Sequence, residues 1–247
     1  FKVASELNFE AFMAGNDILL FPENVAATIE KFKLYYSKKL FTEDRLAFSV
    51  KKILKFKYKA GLNAYKPIET ENLYNDLNAV ENDALQVQLY ENAVTVLKNT
   101  DSILPIKNLD KQRIAYVKIG NDNNYSFVST LQKYADVTIL DEKNLDSLQV
   151  KLASYTTVII GYHKSDIAFK KDDLRADELN KINFLAQRNN VILDVFAKPY
   201  ALLPFDNFNA IKGLVVSYQN SAISQIVSAE LIFGAIASKG KLPVSIN

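Results

Sequence analysis

The chain has 247 residues, 49% of them apolar and 23% charged, the composition of an ordinary globular protein with one large domain or two small ones. A net charge of +2 makes no case for nucleic acid or an anionic membrane as partner, and no apolar run approaches the length of a bilayer span. Cysteine is absent, which excludes disulfides and thiolate metal sites and leaves the compartment open.

The first residue is Phe1 and the one methionine is Met13, which fits a mature form or a piece of a longer protein. Glu6–Ala14 has helical propensity and Gly15-Asn16 supplies a stop. Asp17–Phe21 (DILLF) is a continuous apolar run ending at Pro22, read as a strand buried on both faces. Asn24 can cap a helix in which Val25, Ile29, Phe32 and Tyr36 keep helical spacing. A third helix starts near Thr42, with Glu43 and Asp44 favourably placed at the positive end of its dipole and Gly61 as its end. Leu46, Val50, Ile53 and Leu54 form its apolar stripe. Its Lys51, Lys52, Lys55, Lys57 and Lys59 read as a solvated face on a packed helix, in preference to a membrane-binding one.

From Asn63 to about Glu81 the apolar pattern fades and polar residues dominate, the mark of a linker. A helix over Asn82–Ala93, a short strand over Val94–Lys98 and an extended connection through Lys107 follow. A regular alternation then sets in. Strands are predicted over Arg113–Ile119, Asp136–Leu140, Thr157–Ile160, Val191–Phe196 and Leu214–Ser217, with helices over Ser126–Tyr134, Leu145–Ser154, Asp177–Arg188 and Ser221–Phe233. Leu214, Val215 and Val216 stand in a row without alternation, so both faces of that strand should be covered. Strands in alternation with helices define an α/β fold with a mostly parallel open sheet and helices on both faces.

No motif announces a cofactor. Gly120 is followed by Asn-Asp-Asn-Asn and not by a dinucleotide-binding glycine pattern, and neither a phosphate-cradling loop nor a Gly-x-Ser-x-Gly elbow is present. The lone histidine, His163, sits in GYHKSD just past a predicted central strand, at the edge where open α/β sheets hold ligands. It could contact substrate or move a proton, or be a structural histidine in a loop. One histidine without cysteine argues against a zinc site. Asp166, Asp172, Asp173, Asp177 and Glu178 supply carboxylates of the kind glycosidases pair, but Lys164, Lys170, Lys171 and Arg175 interleave them as in a solvated loop leading to a helix cap. Ser165 beside His163 makes no triad, and Asp17 suits a hydrogen-bonded structural role better than catalysis.

Several segments resemble family 3 glycoside hydrolases. Ala14-Gly15-Asn16-Asp17 with its apolar run is similar to the last barrel strand of that family, and Arg45, Ser49, Lys52, Ile53, Leu54 and Gly61 to its closing barrel helix. Glu91–Asn99 followed by Leu104-Pro105-Ile106 resembles the entry to its second domain, and Phe233-Gly234 with Gly240–Ser245 the exit. The order is that of the family, and the β-N-acetylglucosaminidase branch fits best.

The resemblance implies three parts: residues 1–66 as the terminal part of a (β/α)8-type barrel, 67–84 as linker, and 85–247 as a carboxyl-terminal α/β sandwich. It implies retaining hydrolysis of terminal β-linked N-acetylglucosamine in cell-wall or chitin-like glycans. The nucleophilic aspartate and the Asp-His acid/base pair of that branch have no counterpart motif here, so no catalytic residue transfers and the chain alone is expected to be inactive. The Glu-Gly-x-Asp-Arg setting of the β-glucosidase branch is also missing from 163–175. The implied partners are a glycan, reached through the parent barrel, and the barrel domain itself, with no cofactor and no metal. His163 is the one candidate substrate-binding residue, on a cleft-lining loop. The alternative is a non-catalytic carbohydrate-binding or protein-interaction module on the same sandwich. The cell envelope or the exterior is the expected location, with the cytoplasm left open.

Overall fold

A computed structural model describes residues 3–141, 143–165 and 174–246, and the chain divides into two compact units, Phe1–Leu73 and Tyr74–Asn247. The first unit holds three helices: α1 (Ala4–Met13), α2 (Val25–Ser37) and α3 (Glu43–Lys59). The predicted caps form. Asn24 Oδ1 accepts from the Ala27 amide at 3.1 Å and Thr42 Oγ1 from the Arg45 amide at 3.2 Å. The core of this unit is aromatic: Phe9, Phe12 and Phe41 are buried, and Phe9 meets Phe32 and Tyr35 edge-on at 5.5 and 4.5 Å between centroids.

Asp17–Phe21 corrects the sequence reading. It is a series of bends and no strand, with Leu20 84% and Phe21 92% exposed. The described residues of this unit include no strand for it to pair with, and an unpaired run leaves its backbone groups to water. The apolar stripe of α3 also stays uncovered within the unit: Leu46, Val50 and Leu54 are exposed, and only Ser49 is buried. Asp17 is held as a structural carboxylate. It pairs with Lys52 at 2.6 Å and accepts from Ser49 Oγ at 2.7 Å, and the bond from Lys52, then that from Ser49, keeps its carboxyl below the usual range. Arg45 donates to Ser49 Oγ at 2.6 Å and to the Phe12 carbonyl, closing the cluster.

After a short α4 (Leu73–Leu77) and α5 (Val80–Ala93), the second unit runs β1 (Thr95–Asn99), β2 (Ile114–Gly120), α6 (Tyr125–Tyr134), β3 (Val137–Leu140), α7 (Leu145–Leu152), β4 (Thr157–His163), α8 (Ala176–Ala186), β5 (Val191–Phe196), β6 (Gly213–Val216) and α9 (Ala222–Phe233). The six strands lie in the order β1-β6-β5-β4-β2-β3, all parallel except β1, which runs antiparallel along β6. Successive side chains alternate between two cores. Ala115, Val117, Val158, Ile160, Leu193 and Val216 meet α7 and α8, while Tyr116, Ile159, Ile192 and Val215 meet α6 and α9. The mostly parallel α/β sandwich of the sequence reading is therefore present, with helices on both faces.

The direction in which strands are added reverses between β2 and β4: β3 lies on one side of β2, and β4 to β6 lie on the other. In open α/β sheets that reversal opens a crevice at the carboxyl ends of the two strands. Those ends here are Gly120 and His163, which are register partners.

Ser221 caps α9, its Oγ accepting from the Ser224 amide at 3.2 Å, and Gly234 ends the helix at φ 82°. Ser221→Ala is expected to lower stability by about 1 kcal/mol. Chemical denaturation checks this, and an unshifted midpoint contradicts it.

Candidate functional site: the carboxyl edge of the sheet

At the crevice the chain leaves β2 by folding directly over β4. Gly120 adopts φ +94°, and a Cβ there would lie 2.1 Å from the His163 carbonyl oxygen. The Asn121 and Asp122 amides both donate to that carbonyl, at 3.1 and 3.4 Å. Only glycine allows so close a crossing. The Asn-Asp-Asn-Asn run that breaks the dinucleotide pattern is the material of this turn.

His163 corrects the sequence reading in its placement. It is the last residue of β4 and not a loop residue, and it is 0% exposed. Strand alternation turns its ring to the α6/α9 face, where it stacks on Phe196 at 4.4 Å and 11° and meets Phe127 edge-on. The ring folds back over Gly161, where an added Cβ would lie 2.4 Å from Nε2 and 2.8 Å from the Tyr116 hydroxyl.

Both ring nitrogens are engaged, and the partners assign the tautomer. Asn220 Oδ1 lies 2.7 Å from Nδ1. That oxygen also accepts from Gln225 Nε2 at 2.8 Å, and Asn220 Nδ2 donates to the Asn123 carbonyl at 2.9 Å, which fixes the amide orientation. Nδ1 therefore carries the proton. Nε2 accepts from the Tyr116 hydroxyl at 2.9 Å, and that hydroxyl accepts from Asn124 Nδ2 at 3.0 Å. Gln225 Oε1 accepts from the Phe127 amide at 3.0 Å, so a side chain of α9 satisfies the first turn of α6. Among the described residues no buried side-chain polar atom lacks a hydrogen-bond partner.

Burial pushes the His163 imidazole down to about 4, with the Asn220 bond opposing and Lys118 assisting. The ring is neutral at physiological pH. Two residues along the same face, Asp194 sits in the middle of β5, also 0% exposed. Its carboxylate oxygens accept from Ser217 Oγ at 2.7 Å and from Ser228 Oγ. Burial raises this carboxyl to about 7, the serine bonds offsetting part of the effect. Sequence reasoning missed Asp194, Tyr116, Asn220 and Gln225. The one available signal was an acid standing inside the apolar run VILDVF.

The carboxylate-rich segment resolves in part. Glu178 is buried, pairs with Lys164 at 3.2 Å and accepts from the Arg175 amide at 3.0 Å, so it serves the start of α8. Asp177 accepts from the Arg175 guanidinium at 3.0 and 3.1 Å. Asp166, Lys170, Lys171, Asp172 and Asp173 lie outside the described residues. A cavity of about 390 Å³ opens at this edge, lined by Lys118, Gly120, Arg175, Asp177, Glu178 and Lys181 among others, and His163 does not line it. The described residues contain no group of three or more His, Cys, Asp or Glu able to hold a metal ion.

No protein-family model and no curated protein matches the chain in sequence. Solved structures match in fold. A family 3 β-N-acetylglucosaminidase from Paenibacillus sp. str. FPU-7 aligns with 100% of this chain at 17% identity and a TM-score of 0.72. The β-glucoside phosphorylase BglX bound to 2FGlc aligns with 96% at 18% identity and 0.76. A fungal multi-domain family 3 β-N-acetylglucosaminidase aligns with 98% at 19% identity and 0.71. The chain spans 48%, 44% and 28% of those proteins, respectively, so it shares the fold of a part of each.

The two buried titratable groups give opposite pH dependences over one window. His163 has a folded pKa below its unfolded value, so its stability contribution is present above about 6.5 and lost as pH falls towards about 4. Asp194 has a folded pKa above its unfolded value, so its contribution is present below about 3.8 and lost as pH rises towards about 7. Each amounts to a few kcal/mol, on the order of 1.4 kcal/mol per pH unit, and in the native protein they offset each other. Asp194→Asn should therefore lose more stability than the native protein between pH 6.5 and 4, and His163→Gln less. Melts at stepped pH check this, and parallel curves for all three proteins contradict it.

Proposed function

We propose that this chain is the accessory carboxyl-terminal region of a family 3 glycoside hydrolase that removes terminal β-linked N-acetylglucosamine from cell-wall or chitin-like glycans. The mechanism is retaining, and the catalytic residues lie upstream in a barrel that this chain's first unit helps to complete. The observation that carries the reading is the breadth of the fold likeness. Two solved β-N-acetylglucosaminidases of that family align with 98% and 100% of the chain, and both are much longer than it. The segments carrying the sequence resemblance fall in both units, which adds to the case.

The chemistry of the carboxyl edge points the same way. Retaining hydrolysis uses two carboxyl groups about 5–5.5 Å apart across the scissile bond. Among the described residues, Glu178 and Asp177 are committed to cationic and backbone partners, and Asp194 is enclosed in the sandwich. A neutral, fully bonded histidine is a brace and not a proton carrier. The location consistent with such a substrate is the cell envelope or the exterior.

The purified chain is expected to release no chromophore from a chromogenic N-acetylglucosaminide above the uncatalysed blank, while a polypeptide extended upstream through a complete barrel turns it over. Turnover by the chain alone overturns the reading. In the extended polypeptide, His163→Ala should lower stability by about 2–4 kcal/mol, since it removes a packed ring and strands buried partners, and leave KM unchanged below the melting range. A shifted KM with unshifted melting would instead put the ring against the glycan.

A further inference from the structure

At the opposite edge of the sheet, where α7 and α8 end and β4, β5 and β6 begin, lies a cavity of about 770 Å³. Five of its lining side chains are amides: Gln149, Gln187, Asn189, Asn190 and Asn209. Tyr155 and Thr156 complete the polar wall. We propose that this cleft binds neutral oligosaccharide, N-acetylated hexose in particular, as a non-catalytic holding site.

The lining chemistry selects that ligand class. No Asp or Glu lines the cavity, so it has no group for acid/base work. Two cations line it, and both are already engaged. Arg188 donates to the Phe184 carbonyl at 3.1 Å and lies over the Phe184 ring at 4.0 Å, and Lys212 pairs with Asp101 at 2.7 Å. The cleft therefore makes no demand for an anion. What it offers is a set of amides, each with two donors and an acceptor, which is the complement of vicinal hydroxyls and of an acetamido group.

Three of these amides are held in place before any ligand arrives. Asn189 Nδ2 donates to Gln149 Oε1 and to the Leu185 carbonyl, both at 2.9 Å, and Asn190 Nδ2 donates to the Thr156 carbonyl at 3.1 Å. Gln149 Nε2, Asn189 Oδ1 and Asn190 Oδ1 are left without a partner among the described residues. Fixed donors and acceptors cost less to order on binding than free ones. A second cavity of about 350 Å³ shares Thr156, Asn190 and Lys212 with the first and extends the cleft to Thr100, Gln112 and Thr157; its one carboxylate, Asp101, is the partner of Lys212. Each cavity is within the volume range of small-molecule sites. Strand β4 separates it from the His163 edge by its full seven residues, about 20 Å.

The fit to a neutral polyhydroxylated ligand stands on the cleft alone, whereas the preference for N-acetylated hexose rests on the glycosidase reading above. The test is calorimetric and NMR titration of the 247-residue chain with the β-1,4 tetramer of N-acetylglucosamine, with cellotetraose as comparison. The tetramer should bind more tightly than cellotetraose and shift backbone amides within 149–156 and 187–190. The double variant Gln187→Ala, Asn190→Ala, at two exposed positions, should weaken it at least tenfold with melting unchanged. Should that variant melt early, Gln187→Glu tests the same contact at an exposed site and should weaken binding as well. No binding by the native chain or undiminished binding by the variants overturns the proposal, and cellotetraose bound equally well overturns its preference for N-acetylated hexose. Turnover by the upstream-extended polypeptide is scored separately. Turnover without cleft binding sinks only this proposal, and cleft binding without turnover sinks only the glycosidase reading.

Discussion

A neutral imidazole buried between two faces of hydrogen-bonding partners sets the terms for the carboxyl edge of the sandwich. His163 ends β4, its Nδ1–H donates to Asn220 in the β6–α9 connection, and its Nε2 accepts from the Tyr116 hydroxyl of β2. Gln225 then ties Asn220 to the first turn of α6. Four elements thus meet through one ring, and each bond lies where water does not compete. Breaking one would leave a polar atom buried and unpaired, which costs more than the bond itself contributes. Protonation would have the same effect, since Nε2 would then face a hydroxyl already placed to donate.

That arrangement answers what the topological crevice holds. The switch point between β2 and β4 is where this sheet class opens towards ligands. Here, on the α6/α9 side, the Gly120 crossing lies against His163, the amides of Asn220 and Gln225 bond around the ring, and Phe196 and Phe127 pack beneath it, while a cavity opens beside Lys118 and Gly120. The same face carries a second enclosed group, Asp194, whose burial gives stability the opposite pH dependence to that of His163. A helix rich in small polar residues makes this possible: Ser224, Gln225 and Ser228 of α9 are all buried against the sheet.

Much of the sandwich was legible because its signals are local. Mostly apolar runs such as VILDVF and GLVV name strands covered on both faces, and Ser221, Asn24 and Thr42 mark helix starts by chemistry that needs no distant partner. What was not legible depends on register. Whether His163 ends a strand or starts a loop turns on its pairing with Gly120, forty-three residues away, and nothing in GYHKSD encodes that partner. DILLF failed for the complementary reason, because an apolar run becomes a strand only where a neighbouring edge exists. The motif residues of the same region fared better: Asp17 and, on a helix later in the chain, Arg45, Ser49 and Lys52 converge on one hydrogen-bonded cluster.

The two edges of the sheet consequently differ in what they can do. At the carboxyl edge the polar side chains around His163 are mutually satisfied and enclosed, so that group of residues stabilises the sandwich. At the amino edge the amides of Gln149, Asn189 and Asn190 are oriented by bonds that use only part of their capacity, in a trough that stays open. Stability and recognition draw on the same amide chemistry, and burial decides which of the two it serves. An amide with every donor and acceptor filled inside the sandwich fixes the fold, and one half-filled at its rim is free to read a hydroxyl. The position of a polar residue along the strand axis therefore carries more information here than its identity.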